Sequence, residues 1–260
     1  MPTVPYAPAT AAAHPDKAIT KGPTLMLRFS VLRVPIAVHW SFAFIGILVI
    51  GQFEPPEVVG FVVGVFVAVL SHEMGHALTA RRFGAKAVTI TLFGLGGLTQ
   101  YPADTPLTPG RRFLIAASGS AVGMTLGGIF FLTKNTDFAV SMFPFGRAVM
   151  WGIIVAGLLW GALNWLPILP LDGGNMAWHV LEIVSPRYAL RIAKVLTAVT
   201  AAIVAYFAVT AWDNTFGAVF LAVIAMQGLR IPERNATVRP RPTPTDTASL
   251  LSIFDDGPEV

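Results

Sequence analysis

The stretch "FVVGVFVAVLSHEMGHALTARR", residues 61 to 82, places two histidines four residues apart in a segment apolar enough to lie in lipid. One helix needs about 20 apolar residues to cross the hydrocarbon of a bilayer, and this stretch supplies most of them. In a helix, His72 and His76 share one face, one turn apart, and Glu73 lies next to that face. The stretch therefore predicts a membrane-spanning helix with an ionisable cluster inside it.

The whole chain has the composition of a polytopic membrane protein. Its 260 residues are 54% hydrophobic and 12% charged, and its mean hydropathy is +0.66, well outside the usual balance of soluble domains. We predict an all-α polytopic fold of about six transmembrane helices in one membrane domain, residues 34–231. The predicted spans lie near residues 36–52, 57–80, 113–133, 146–168, 190–211 and 214–230.

The positive charges follow a membrane topology. A net charge of +4 would also suit a nucleic-acid-binding protein, but the lysines and arginines concentrate in alternate loops. Loops on the cytoplasmic side of a membrane carry an excess of these residues. We therefore predict a multi-pass membrane protein with both termini cytoplasmic and no nucleic-acid partner. The charges concerned include Arg28, Arg33, Arg81, Arg82, Lys86, Arg111, Arg112, Arg187, Arg191, Lys194, Arg230 and Arg234.

Both ends of the chain are predicted to be cytoplasmic tails, residues 1–33 and 232–260. The C-terminal tail is rich in proline, threonine and charge, so it cannot bury enough surface to fold alone and is predicted to be disordered. The first 27 residues lack a continuous apolar run followed by a small-residue cleavage site, which predicts no cleaved signal peptide. Cysteine is absent, which excludes disulfides, thiolate ligands and a cysteine nucleophile.

A segment between the second and third predicted spans has the period of a β-strand. In "AKAVTITLFGLGGLTQY", residues 85 to 101, apolar side chains alternate with threonines over residues 88–92. This predicts a short β-hairpin, re-entrant where protein or a water-filled cavity satisfies its backbone; an ordinary cytosolic connector is the equal alternative. An exposed edge of the 88–92 strand could pair with an extended peptide.

The residues of the HExxH pattern, His72, Glu73 and His76, indicate a metal site. The pattern has a chance probability of about 0.002 in a shuffled chain of this composition. Three ionisable groups within one turn of a lipid-spanning helix are costly unless a metal or a cavity receives them. A hydrogen-bonded histidine pair, with Glu73 bound to a nearby arginine, explains the pattern less well. Imidazoles with a carboxylate suit zinc, although other divalent ions bind such a set.

The third ligand is predicted from a second stretch, "NWLPILPLDGGN", residues 164 to 175. A catalytic zinc site takes three protein ligands, and Asp172 is the acidic residue at the mouth of a later span on the same side. Two prolines before it and two glycines after it predict that the helix opens there, which lets Asp172 reach the metal. Asn164 is suited either to hold a peptide carbonyl or oxyanion or to bond within the bundle.

The two stretches together resemble the site-2 protease family of intramembrane zinc metalloproteases. "SHEMGHA" and "NWLPILPLDGG" match the family signatures HExxH and N-x-x-P-x-x-P-L-D-G, and the resemblance covers roughly residues 60 to 180. It implies one zinc ion per chain, held by His72, His76 and Asp172, with Glu73 as the catalytic acid and base. It also implies that Asn164 contacts the substrate.

The resemblance extends to the hairpin and has one departure. The "LFGLGG" loop is similar to the membrane-associated hairpin of the family, which implies that Gly96 and Gly97 lie against the substrate. Family members often carry a glycine-proline pair followed by asparagine in the third core helix, where this chain has Ser120 and Gly123. The chain is similar to compact bacterial members without PDZ or CBS domains, which together with the charge bias implies a bacterial cell membrane. Glycines 119, 123 and 127 are assigned to helix packing, and His179 to a solvated surface.

The expected function is hydrolysis of a peptide bond within or near the transmembrane segment of a membrane protein, in the lipid bilayer. An anti-sigma factor or a membrane-tethered pro-protein is the kind of substrate implied, and Glu73 is the expected general base. The alternative is a catalytically inactive relative that binds client helices, which would not need Glu73. An ion transporter would need polar residues that continue to the outer face, and the interiors of the fifth and sixth predicted spans supply mainly threonines. Oligomeric state is not predicted.

Overall fold

The computed structural model describes residues 26–94, 96–102 and 105–232, so most of both predicted tails lies outside the described residues. The described part of the chain starts with two strands and a 3-10 helix and continues as helices interrupted by a hairpin. The elements are β1 (Met26–Val31), β2 (Val34–His39), the 3-10 helix (Trp40–Val49), α1 (Pro55–Arg82), β3 (Thr89–Phe93), β4 (Gly96–Gln100), α2 (Pro109–Thr133), α3 (Asp137–Ser141), α4 (Pro144–Ile154), a π-helical turn (Val155–Trp160), α5 (Gly161–Asn164), α6 (Asp172–Val184), α7 (Ala189–Thr210) and α8 (Thr215–Leu229).

Four helical stretches of the described chain are long and apolar enough to cross a membrane, and they correspond to the second to fifth predicted spans. The other two predicted spans are shorter in the structure. The 3-10 helix in the first has ten residues and α8 in the sixth has fifteen, whereas a crossing helix needs about 20. The total of six spans therefore stays a prediction. The four stretches are Pro55–Arg82, Pro109–Thr133, Pro144–Asn164 and Ala189–Thr210.

The fold is mostly helical but includes a four-stranded sheet in the order β1-β2-β3-β4, so the all-α prediction was incomplete. The predicted hairpin is present as β3 and β4, which pair antiparallel. Strands β1 and β2 were not predicted, because an apolar run does not by itself distinguish a strand from a helix. β2 pairs parallel with β3. A parallel pair requires a long crossover, which the 3-10 helix and α1 supply.

Helix α1 lies at the centre of the molecule. It packs against α2, α4 and the sheet, and the sheet side chains Val34, Ile36 and Leu92 are buried with α1 residues in one apolar core. This central position removes the polar part of α1 from lipid. His72, Glu73 and His76 are accordingly among the buried residues of the helix.

The chain leaves helical conformation between α5 and α6, as the prolines and glycines of residues 164–175 predicted. Residues 165–171 form the break, and Asp172 opens α6. A Cβ placed on Gly174 would lie 2.5 Å from the carbonyl oxygen of Ile168, so only glycine lets the break fold back on the first turn of α6. Thr197 of α7 accepts a hydrogen bond from the Leu169 backbone nitrogen at 2.9 Å, which fastens the break to the bundle.

Candidate metal centre

The two histidines of α1 lie side by side in the interior. Their Nε2 atoms are 3.1 Å apart, and each residue is 8% exposed. The Nδ1 atom of His76 lies 2.7 Å from the carbonyl oxygen of Ile115 in α2. Because a carbonyl can only accept, Nδ1 donates its proton there and Nε2 keeps a free lone pair. Helix α2 therefore fixes the tautomer that a metal ligand needs.

Two glycines of α2 make room for these rings. A Cβ placed on Gly119 would overlap the imidazole of His76, and one on Gly123 would lie 3.4 Å from the Nδ1 atom of His72. Gly127 differs, because a Cβ there would lie 3.0 Å from the Cα of Gly157 in the neighbouring helix. The assignment to helix packing holds for all three glycines, because a Cβ on Gly75 would lie 3.0 Å from the Cα of Gly119 and one on Gly157 would lie 2.7 Å from the carbonyl oxygen of Gly123. Gly119 and Gly123 in addition leave room for the candidate ligands.

Asp172 reaches the same point from the start of α6. Its Oδ2 atom is 3.2 Å from Nε2 of His72, and its Oδ1 atom is 3.3 Å from Nε2 of His76. Ser120 of α2, which is fully buried, donates a hydrogen bond of 2.7 Å to Oδ2. Zinc bonds of about 2.1 Å in a tetrahedron place the ligand atoms about 3.4 Å apart. The spacing and the chemistry of the three side chains therefore fit a zinc ion.

Glu73 offers a second carboxylate beside this centre. Its ligand atom and those of His72 and His76 lie within 4.8 Å of one another, so Glu73 competes with Asp172 for the role of third ligand. We favour Asp172, because its oxygens lie within 3.3 Å of both Nε2 atoms. Glu73 instead accepts a 2.7 Å hydrogen bond from Thr99 at its Oε2 atom. Glu73 therefore lies next to the predicted metal site, at a position suited to a general base.

The β3–β4 hairpin covers Glu73. A Cβ placed on Gly97 would lie 2.6 Å from Oε1 of Glu73, so a larger residue there would displace the carboxylate. Gly96 has a φ of +130°, which favours glycine, and it lies against Trp160. Asn164 is 7% exposed at the end of α5. The contacts of Asn164, Gly96 and Gly97 with a substrate stay predictions.

The assignment of His179 to a solvated surface was wrong. His179 is 2% exposed, and its Nδ1 atom lies 2.9 Å from Oε2 of Glu182. Glu182 in turn lies 3.6 Å from Nη1 of Arg112, a buried residue of α2. Burial lowers the pKa of His179, while Glu182 opposes that shift. The cluster links α6 to α2, the helix that also contacts Asp172 through Ser120. The sequence did not indicate this cluster, because the break before α6 leaves the orientation of α6 undetermined.

Residues 60–138 match the model of Peptidase family M50, a segment that contains most of α1, the hairpin and all of α2. The fold agrees with the site-2 protease from Methanocaldococcus jannaschii, with a TM-score of 0.56 over 81% of this chain and 98% of that one, at 22% identity. The resemblance to the site-2 proteases is confirmed. At this identity the solved structure establishes the fold.

Two curated relatives are named as zinc metalloproteases. "Putative zinc metalloprotease Rip3" of Mycobacterium tuberculosis is 31% identical over 156 residues, which are 58% of this chain and 39% of that protein. A zinc metalloprotease of Methanocaldococcus jannaschii is 24% identical over 161 residues, which are 59% of this chain and 44% of the relative. The matched segment thus spans less than half the length of either relative.

Proposed function

We propose that this chain is an intramembrane zinc metalloprotease of the site-2 type, which hydrolyses a peptide bond within or near the transmembrane segment of a membrane protein. The observation that carries the proposal is the meeting of His72, His76 and Asp172 within 3.3 Å of one another, with Glu73 beside them. The names of the relatives support zinc as the metal.

The side chains of the site have distinct roles. His72, His76 and Asp172 would hold one zinc ion, which when bound lowers the pKa of a water and polarises the scissile carbonyl. Glu73 accepts the proton of the attacking water and donates it to the leaving amine. The hydrogen bonds to Ile115 and from Ser120 keep His76 and Asp172 in their orientations.

A substrate helix must become extended before it is cleaved, since its carbonyls are held in internal hydrogen bonds. The edge expected to pair with it, residues 88–92, is not free, because β3 lies between β2 and β4. β4 is the edge strand on the Glu73 side of the sheet. An extended substrate added to β4 would lie next to Gly97 and Glu73, with main-chain hydrogen bonds that hold any sequence.

The proposal includes the membrane setting. Four helices of suitable length and apolarity and the positive charges of alternate loops support a multi-pass protein of a cell membrane with cytoplasmic termini. For the predicted six crossings, β2 and the 3-10 helix together would have to form the first span, and α8 would have to form the sixth. The substrates would be membrane proteins with a transmembrane helix, such as an anti-sigma factor or a membrane-tethered pro-protein.

The test compares membrane proteomes from cells that express the native protein, Glu73→Gln or Glu57→Gln. Glu57 lies in the first turn of the same helix, where glutamine can still take part in the capping interaction. We expect membrane proteins or fragments to accumulate with Glu73→Gln alone, because loss of the base slows cleavage about 10²- to 10⁴-fold. Purified Glu73→Gln should retain zinc.

Two outcomes would contradict the proposal. Cleavage by Glu73→Gln at the native rate would exclude Glu73 as the base. Equal membrane proteomes, together with no cleavage of a helical peptide by the purified native protein, would favour the inactive protein that binds client helices.

A further inference from the structure

We propose that Thr99 of β4 is a positioning residue for Glu73, which fixes the carboxylate and joins its position to that of the hairpin. The inference rests on the proposed function, in which Glu73 is the base. Thr99 donates a 2.7 Å hydrogen bond to Oε2 of Glu73, and its Oγ1 atom also lies 3.1 Å from the Glu73 backbone oxygen.

The register of the hairpin directs Thr99 towards α1. Thr99 is paired with Ile90, and Gly97 with Leu92. Directly opposite residues of an antiparallel pair share a face, and Ile90 and Leu92 are buried in the core that includes α1 residues. Thr99 and Gly97 therefore both face Glu73. Thr99 donates a hydrogen bond to its carboxylate, and Gly97, which has no side chain, leaves room for it.

The hydroxyl of Thr99 has a single proton, so one of its two acceptors takes most of it. The carboxylate is closer and charged, and hydrogen bonds to charged acceptors are shorter and stronger than neutral ones. The bond therefore holds Oε2 in place. Oε1 is the oxygen nearer to Gly97, and it remains for proton transfer.

This arrangement has a consequence for the edge strand. A substrate that pairs with β4 pairs with the strand whose side chain holds the base. Any shift of β4 therefore moves the Thr99 hydroxyl and Glu73 together, so the general base is in place only when the hairpin is.

The experiment measures peptide cleavage by purified protein with native Thr99, Thr99→Val, Thr99→Ser and Thr89→Val. Valine keeps the branched shape but removes the hydroxyl, and serine keeps the hydroxyl. Thr89 lies on the partner strand and is exposed, so Thr89→Val is the matched control. Glu73→Gln gives the background.

We expect Thr99→Val to lower kcat at least about tenfold, since a hydrogen bond to a charged group is lost. KM should change less than about twofold and the zinc content should stay the same. Thr99→Ser should keep kcat within about threefold of native, and Thr89→Val should match native. A native kcat in Thr99→Val, or equal losses in Thr99→Ser or Thr89→Val, would overturn the inference.

A second measurement does not depend on cleavage. Hydrogen exchange of the hairpin amides should speed up in Thr99→Val and in Glu73→Ala. The double variant should show no further increase, because both substitutions remove the same hydrogen bond between the Thr99 hydroxyl and the Glu73 carboxylate. Additive increases would overturn the inference. Absence of Glu73-dependent cleavage by the native protein would instead overturn the proposed function, and with it this role, even if the exchange data confirmed the contact.

Discussion

Helices α1 and α7 are nearly alike in hydropathy and opposite in surroundings. Their most apolar windows have mean hydropathies of 1.9 and 2.0, yet 56% of the window is buried in α1 and 17% in α7. α1 lies among α2, α4 and the sheet, whereas α7 contacts mainly α6 and α8. Apolar composition thus identifies both as candidate spans, but it does not show which one has a protein interior around it.

The difference explains where ionisable groups can lie. α1 buries His72, Glu73 and His76, and α7 buries the small hydroxyl of Thr197, which accepts from Leu169 and donates to the Ala193 carbonyl. Polar groups inside a membrane protein are tolerated where partners within the protein receive them. The buried ionisable cluster therefore lies in the most buried of the four candidate spans of the described chain.

The largest expected effect contrasts the buried polar groups of the two helices. His76→Ala removes one of the three proposed ligands, so the affinity for zinc should fall more than about 100-fold. Thr197→Val leaves the Leu169 amide without its acceptor, which should cost about 1 to 3 kcal/mol of stability while zinc stays bound. Elemental analysis and chelator competition on purified protein measure the first, and SDS titration in mixed micelles the second.

Retention of one zinc per chain by His76→Ala would contradict the ligand assignment. Loss of zinc from Thr197→Val would show that the position of Asp172 depends on the hydrogen bond between Thr197 and the break at residues 165–171.

A smaller effect is expected from two adjacent glycines of α2. A Cβ on Gly127 would lie 2.9 Å from the Leu158 nitrogen, whereas nothing lies within 4 Å of a Cβ on Gly128. Gly127→Ala should therefore lower the free energy of unfolding by about 2 kcal/mol through overpacking. Gly128→Ala should leave it unchanged or raise it by up to about 1 kcal/mol, since alanine favours helix. Equal effects in SDS titration would show that this helix contact is loose.

The smallest effect compares valines in α1 and α7. Val65 is 7% exposed and Val199 is 51% exposed. Val65→Ala should cost about 1 kcal/mol, because neighbouring atoms lose packing contacts. Val199→Ala should stay within about 0.5 kcal/mol of native. A larger cost at Val199, in the same SDS titration, would mean that a protein surface rather than lipid covers that face of α7.

The sequence predicted the parts of the site that depend on short-range geometry. His72 and His76 follow from the helical period, and Asp172 follows from the scarcity of acidic residues at that side of the later spans. The hairpin follows from the alternation at residues 88–92. The histidine pair and the hairpin follow from local repeats in the sequence, and Asp172 follows from the small number of acidic candidates. None of the three depends on how the helices pack.

The missed features depend on distant pairing. β2 looks apolar and continuous with the segment after it, and only its parallel pairing with β3, beyond α1, makes it a strand. Thr99 and Ser120 are residue types found anywhere in a membrane protein, so their contacts with Glu73 and Asp172 required the register of β4 and the rotation of α2. His179 is buried because α6 packs on α2, which its local sequence does not indicate.

The order of the elements has a consequence for biosynthesis. Asp172 follows His76 by 96 residues, and translation adds about 5 to 20 residues each second. The two imidazoles therefore leave the ribosome about 5 to 20 seconds before the carboxylate that joins them. The proposed three-ligand site can be completed only after α2, α4 and α5 have been made. A metal that needs all three side chains can therefore bind only once Asp172 has been added, while α7 and α8 are still to follow.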